Sequence, residues 1–178
     1  MALTYRKTAY RNADLLNRWF PGATGTEVRA GHINLAGENA VELFVTLSEL
    51  PVLSSDANGL LLADTVSLPA NAWITRLETL VTKETAGTNA NLNLGIVNAT
   101  TMAITDADYL LAQADVENAG TDLGLETVYR KGTTEAGAGI GAKLEARSYI
   151  CGAYDTGAFT GGILRVRVFY SMVLDADD

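Results

Sequence analysis

Between Ala63 and Asn98 the chain reads as three strands separated by polar punctuation. Asp64 to Leu68 forms the first, a tight Pro69-Ala70-Asn71 turn follows, Trp73 to Lys83 forms the second, and a Thr85-Ala86-Gly87-Thr88-Asn89 loop leads to the third. In that third strand Leu92, Leu94 and Ile96 alternate with Asn91, Asn93 and Gly95. A two-residue period of this kind marks a strand in a sheet with one buried face. Such a face needs cover. The run Leu164, Val166, Val168, Tyr170, Met172, interleaved with Arg165, Arg167 and Phe169, supplies part of it from the far end of the chain.

The flanking segments extend the same pattern. Glu27 to Ala36 is a strand, Gly37-Glu38-Asn39 a turn, and Ala40 to Leu47 a second strand in which Val41, Leu43 and Val45 oppose Glu42, Phe44 and Thr46. These two make a hairpin. Ser48 to Asn58, with Pro51 and a Ser54-Ser55-Asp56 cluster, is a loop, and Leu60-Leu61-Leu62 leads into the central stretch. After Asn98 comes a connection, Ala99 to Gly124, that is long for a sandwich. Within it Asp106 to Ala114 (DADYLLAQA) places acidic residues ahead of Tyr109, Leu110 and Leu111. Acidic residues suit a helix N-terminus, which predicts a helical turn or two across one end of the sandwich. Thr127 to Lys131 is a short strand, Gly132 to Gly141 a small-residue loop, Ala142 to Tyr154 a strand, Gly157 to Gly162 a turn and Ile163 to Leu174 the last strand.

About eight strands with no repeated unit and no Cys-Trp-Cys spacing predict an all-β fold. The architecture is a two-sheet antiparallel β-sandwich of jelly-roll type. Residues 1–26 differ in kind: they are basic, aromatic and without alternation. Leu15, Leu16, Trp19 and Phe20 fall on one side of a short helix that Asn12 caps and Pro21-Gly22 stops. A helix this short needs a surface to lie on. It either packs on its own sandwich or docks on a neighbouring subunit. The chain thus divides into an N-terminal arm, 1–26, and a sandwich, 27–178. The candidate partner-binding residues are Arg6, Lys7, Tyr10, Arg11, Leu15, Arg18, Trp19 and Phe20.

Charge sharpens that division. The chain of 178 residues carries a net −8, of which residues 1–26 contribute +3, leaving −11 on the rest. A body so acidic repels phosphate backbones, so nucleic acid is not an expected partner. The basic arm suits an acidic protein surface. No stretch of about 18 apolar residues and no basic-then-apolar leader occurs, so the expectation is a chain made in the cytoplasm with no membrane partner.

Candidate chemistry is thin. Cys151 is the single cysteine, within a strand-like Tyr149-Ile150-Cys151-Gly152-Ala153, and reads as a small buried thiol. His32 is the single histidine and has no nucleophile context around it. Gly137-Ala138-Gly139-Ile140-Gly141-Ala142 fits a relaxed dinucleotide fingerprint, but the residues after it alternate like a strand where the fingerprint requires a helix. Asp106, Asp108, Asp115 and Glu117 offer hard oxygens for calcium without EF-hand spacing, and Asp56-Ala57-Asn58-Gly59 is a turn before it is a site. Trp73 and several Tyr are the aromatics available for a sugar platform, although a Trp opening a strand more often packs in a core. No catalytic residue, metal ligand or cofactor is assigned.

Val66-Ser67-Leu68-Pro69-Ala70-Asn71-Ala72-Trp73-Ile74-Thr75, the later Leu92-Asn93-Leu94-Gly95-Ile96, Asp108-Tyr109-Leu110-Leu111 with Asp115-Val116, and Gly162-Ile163-Leu164-Arg165-Val166-Arg167-Val168-Phe169-Tyr170 together resemble small jelly-roll virion proteins of tailed bacteriophages. The resemblance covers Ala63 to Met172. It implies a structural, non-enzymatic virion component, a head decoration or cement protein that sits as a homotrimer on the major capsid protein at the head surface. The alternative is a tail or fibre domain that binds host glycan.

Overall fold

The structure, a computed structural model, describes residues 30–35, 38–53, 59–116 and 124–172. The arm, with its eight candidate partner-binding residues, lies outside the described residues. Nine strands are described: β1 (Ala30–Leu35), β2 (Glu38–Thr46), β3 (Leu60–Leu61), β4 (Ala72–Gly87), β5 (Ala90–Asn98), β6 (Ile104–Ala114), β7 (Glu126–Arg130), β8 (Ser148–Thr156) and β9 (Phe159–Met172). They form a five-stranded sheet, β1-β2-β9-β4-β7, and a four-stranded sheet, β3-β8-β5-β6. All the strand pairs are antiparallel.

The topology follows from one folded ribbon. The long strands β4 and β9 pair down to Gly87 opposite Phe159, and on the far side of two two-residue corners β5 and β8 take up the pairing at Ala90 opposite Thr156. Asn89 and Thr156 adopt positive φ of 53° and 71° to make that fold-over. The chain passes from one sheet to the other at each connection except the β1–β2 and β5–β6 hairpins. That path is the jelly roll expected from the alternation.

The inner faces are the predicted ones. Val41, Val168 and Leu77 lie in register across β2, β9 and β4. With Leu164, Val166 and Tyr170 they meet Leu92, Leu94 and Ile96 of the opposite sheet in one core. The C-terminal run therefore does cover the central strand, except Met172, which is 45% exposed at the strand's end.

Several local expectations are corrected. Asp106 to Ala114 is strand, not helix, because β5 offers it a ladder from Leu92 opposite Ala114 to Val97 opposite Ile104. Tertiary pairing overrides the local helix-start signal of the acidic residues. Asp64 to Leu68 forms no strand and contributes a single bridge between Leu68 and Ser148. Strand β4 runs through Thr85 to Gly87, so the polar loop shrinks to Thr88-Asn89. The strand expected from Ala142 begins at Ser148, and the final one starts at Phe159.

Asn93, expected on a solvated face, is fully buried. The cause is β6. Between Leu94 and Ile96 on β5 the ladder advances two residues, whereas on β6 it moves from Leu111 to Asp106. The surplus residues bulge over the outer face of β5. Gly95 is required there, since a Cβ would sit 2.1 Å from the Asp106 carbonyl oxygen.

The small-residue loop closes one side of the sandwich. Glu135 accepts from the Ala112 amide at 2.9 Å, and the Gly137 and Gly139 amides donate to Leu110 and Tyr109 at 3.3 and 2.8 Å, which covers the edge of β6. Farther on, the Gly141 amide donates to Ile74 at 2.7 Å and the Leu144 amide to Ala72 at 2.8 Å. One loop thus joins the edge of one sheet to a strand of the other.

Candidate interaction surface

The outward face of the five-stranded sheet carries an array of charged and aromatic side chains. Register places them in rows. Glu42, Arg167, Glu78 and Val128 run across β2, β9, β4 and β7, with Phe44, Arg165, Leu80 and Glu126 beside them and Ala40, Phe169, Arg76 and Arg130 on the other flank. In the first of these rows opposite charges alternate from Glu42 through Arg167 to Glu78, the arrangement that favours cross-strand pairing, whereas on the other flank Arg76 and Arg130 are like-charged neighbours.

Glu42 is the hub. Its carboxylate accepts from Arg167 Nε at 2.6 Å and lies 3.8 Å from Arg165 Nε, with only 5% of its side chain exposed. Arg165 reaches Glu126 at 3.6 Å through Nη2. Burial and the neighbouring Arg167 pull the Arg165 guanidinium below its ordinary range. Arg76 donates to Glu78 at 2.9 Å through Nε and to Glu38 through Nη1. Burial alone would lower Arg76, but the hydrogen bonds to those two carboxylates outweigh it and its pKa rises. The same guanidinium lies 3.6 Å over the Phe169 ring, and Phe169 is 1% exposed although it points away from the core. Trp73, in β4 on the same outward face and opposite Ser171, is 41% exposed.

This hub was not singled out in the sequence. The alternation of Arg165 and Arg167 with Leu164, Val166 and Val168 gave half of the signal. The other half, the Glu42 partner 125 positions away, is set by the β2–β9 register.

The remaining candidates are dispersed. His32 stands opposite Val41 in the β1–β2 register. Cys151 is buried, and burial pushes its thiol up from 9.0 to about 11, which leaves it protonated at neutral pH. The glycine-rich segment has no strand-to-helix context. Gly137 lies against the Asp108 and Tyr109 backbone and Gly139 against the Tyr109 ring, where a Cβ would come within 2.3 and 2.1 Å. Its glycines serve packing between two segments of the same chain. Asp106 accepts from the Asp108 amide at 3.1 Å in a local turn, and no three His, Cys, Asp or Glu side chains converge to hold a metal among the described residues. Glu117 and residues 56–58 lie outside the described residues.

No family model matches the chain, and no curated protein matches it. Among solved structures it is similar to a chain from the cyanophage Pam1 capsid asymmetric unit, at 18% identity over 86% of this chain and 98% of that one, with a TM-score of 0.49. It is also similar to a chain from the capsid of Ralstonia phage GP4, at 19% identity over 86% of this chain and 93% of that one, with a TM-score of 0.47.

Proposed function

We propose that this chain is a non-enzymatic virion protein of a tailed phage, a decoration or cement protein that binds the major capsid protein at the head surface as a homotrimer. The observation that carries the reading is where the phage-like phrases fall. Val66 to Thr75 leads through the turn at 69–71 into β4, Leu92 to Ile96 is the centre of β5, and Gly162 to Tyr170 is β9. These are three of the four strands of the folded ribbon that defines the jelly roll, so the resemblance tracks the architecture rather than an isolated turn.

The outward face of the five-stranded sheet supports a docking role. Arginine and aromatic side chains are enriched where protein partners meet, and this face presents Arg76, Arg130, Arg165 and Arg167 with the exposed Trp73. The arm supplies the clamp: Arg6, Lys7, Arg11 and Arg18 reach an acidic capsid surface while Leu15, Trp19 and Phe20 bury apolar area, with Tyr10 between the two sets. Binding then stabilises the head by adding buried area across capsomer junctions, about 25 cal/mol per Å² gross before association costs. A trimer axis places one cement unit where several capsid subunits meet.

The test is co-sedimentation of the chain lacking Met1 to Thr26 with expanded heads. The proposal expects a folded sandwich that no longer binds; full-affinity decoration by the truncated chain overturns the clamp. The exposed indole of Trp73 favours one second reading, a tail or fibre domain that binds glycan. A glycan array with the full chain and with Trp73→Ala decides it, since specific binding lost in the variant would replace the first reading.

A further inference from the structure

We infer that the acidic segment 173–178 of one copy of this chain docks on Arg165 and Arg167 in the outward sheet face of a neighbouring copy. Arg165 is the side chain that calls for a further partner. A guanidinium carries five N–H donors. Among the described residues those of Arg165 make no hydrogen bond: its ion contacts are 3.8 Å to Glu42 and 3.6 Å to Glu126, and Glu42 takes its hydrogen bond from Arg167 at 2.6 Å. Its side chain keeps 21% of its exposure, so a second carboxylate can reach it. Burial and the neighbouring Arg167 lower its pKa, whereas Arg76, which donates to two carboxylates, is raised. The Arg165 charge is the less well met of the two.

The row that holds Arg165 defines the occupant. Phe44 on β2 and Leu80 on β4 flank it, both half-buried. A fitting segment carries a carboxylate for a two-pronged pair with the guanidinium and apolar side chains beside it. Val173-Leu174-Asp175-Ala176-Asp177-Asp178, which lies outside the described residues, has that composition. Its own sheet face is out of reach. Arg165 stands seven positions before Met172 on one strand, about 23 Å back along β9. A chain leaving Met172 has to reverse, which uses two or three residues, so the carboxylates at 175, 177 and 178 come back by about 10 Å at most. Extended side chains do not close the difference, and the carboxylates that meet Arg165 come from a second copy.

A segment of one copy on a face of the next is a heterologous contact, which closes into a ring where the rotation allows. Each contact is small, and several around a ring act together. The inference deepens the proposed homotrimer by naming a contact that closes it, and it rests on that reading only for the number three.

The test is concentration-dependent sedimentation of the full chain at low salt with no capsid present, so its failure is distinct from a failure to bind heads. The segment variant Asp175→Asn/Asp177→Asn/Asp178→Asn and the face variant Arg165→Gln are each expected to weaken self-association at least about tenfold. Mixing the two restores one contact, because the face variant still donates its carboxylates and the segment variant still offers Arg165. The three Asp→Asn changes lie beyond β9, so they report even if Arg165→Gln disturbs the sheet. In a second readout, a Leu80→Cys chain and an Ala176→Cys chain are mixed and oxidised, and a disulfide-linked pair of one of each forms, which the Asp→Asn changes suppress. A wild type that stays monomeric, a segment variant that associates like the wild type, a mixture that does not associate, or a disulfide formed within one chain that carries both cysteines overturns the inference. A monomeric wild type whose binding to heads is lost in Arg165→Gln overturns it too and gives the face to a capsid carboxylate.

Discussion

The Gly157 amide donates to the Asn89 carbonyl at 3.0 Å, and this bond ties together the two corners at which the β4/β9 ribbon becomes the β5/β8 ribbon. A Cβ on Gly157 would stand 1.8 Å from the Thr88 carbonyl oxygen, a backbone atom that cannot rotate away. Gly157→Ala should therefore destabilise the fold by at least about 3 kcal/mol, at the upper end of overpacking costs. Urea unfolding checks this, with Gly161→Ala as the control, since a Cβ there meets only Ala86 Cβ at 3.8 Å.

The corners also show what could be read in the sequence and what could not. The alternation of Leu92, Leu94 and Ile96 and of Leu164, Val166 and Val168 identified both inner faces, because burial of one face is a local, period-two property. The β1–β2 hairpin was legible from the alternation of β2, and the Pro69-Ala70-Asn71 turn from its own residues, Asn71 taking a φ of 61° there. Asp106 to Ala114 was misread because acidic residues ahead of Tyr109, Leu110 and Leu111 resemble a helix N-terminus, whereas its strand state is set by β5, a partner brought by the fold. The burial of Asn93 and the Glu42 hub depend on register and on a bulge in another strand, which no local pattern encodes. The docking residues proposed for the arm rest on composition alone.

Glu42→Ala leaves Arg165 and Arg167 side by side without their shared carboxylate. Removing one partner of a buried pair is costly, but the arginines retain about a fifth of their exposure, so the expected loss is about 2 kcal/mol. Glu42→Gln should lose less, since its amide oxygen still accepts from Arg167 Nε. Equilibrium unfolding of the two variants tests the ranking, and equal losses would show that charge plays no part.

Arg76 covers the Phe169 ring with a planar guanidinium while bridging Glu38 and Glu78. Arg76→Lys keeps the charge but cannot stack flat or bridge with a fork, so it should cost about 1 kcal/mol. Part of the difference from wild type should vanish in 1 M salt, which screens the ion pairs but not the ring contact. Chemical denaturation at low and high salt measures both parts.

The Cys151 thiol has a pKa raised from 9.0 to about 11 by burial, so the folded state holds its proton longer than the unfolded chain does. The sign follows: its contribution to stability is intact below pH 9 and is lost as pH rises from 9 toward 11, by about 2 kcal/mol. Tyr109, Tyr129 and Tyr170, also raised by burial, add the same slope above pH 10. Unfolding free energies between pH 8 and 11 should fall more steeply for the wild type than for Cys151→Ala; parallel curves would refute the linkage.

The central proposal is that this jelly roll is a head-surface protein, and electron cryo-microscopy of expanded, undecorated phage heads tests it most directly. With the purified full chain added, the account predicts trimeric density at capsomer junctions, with each arm extended onto a neighbouring capsid subunit. Bare heads at saturating protein, or density confined to the tail, would contradict it.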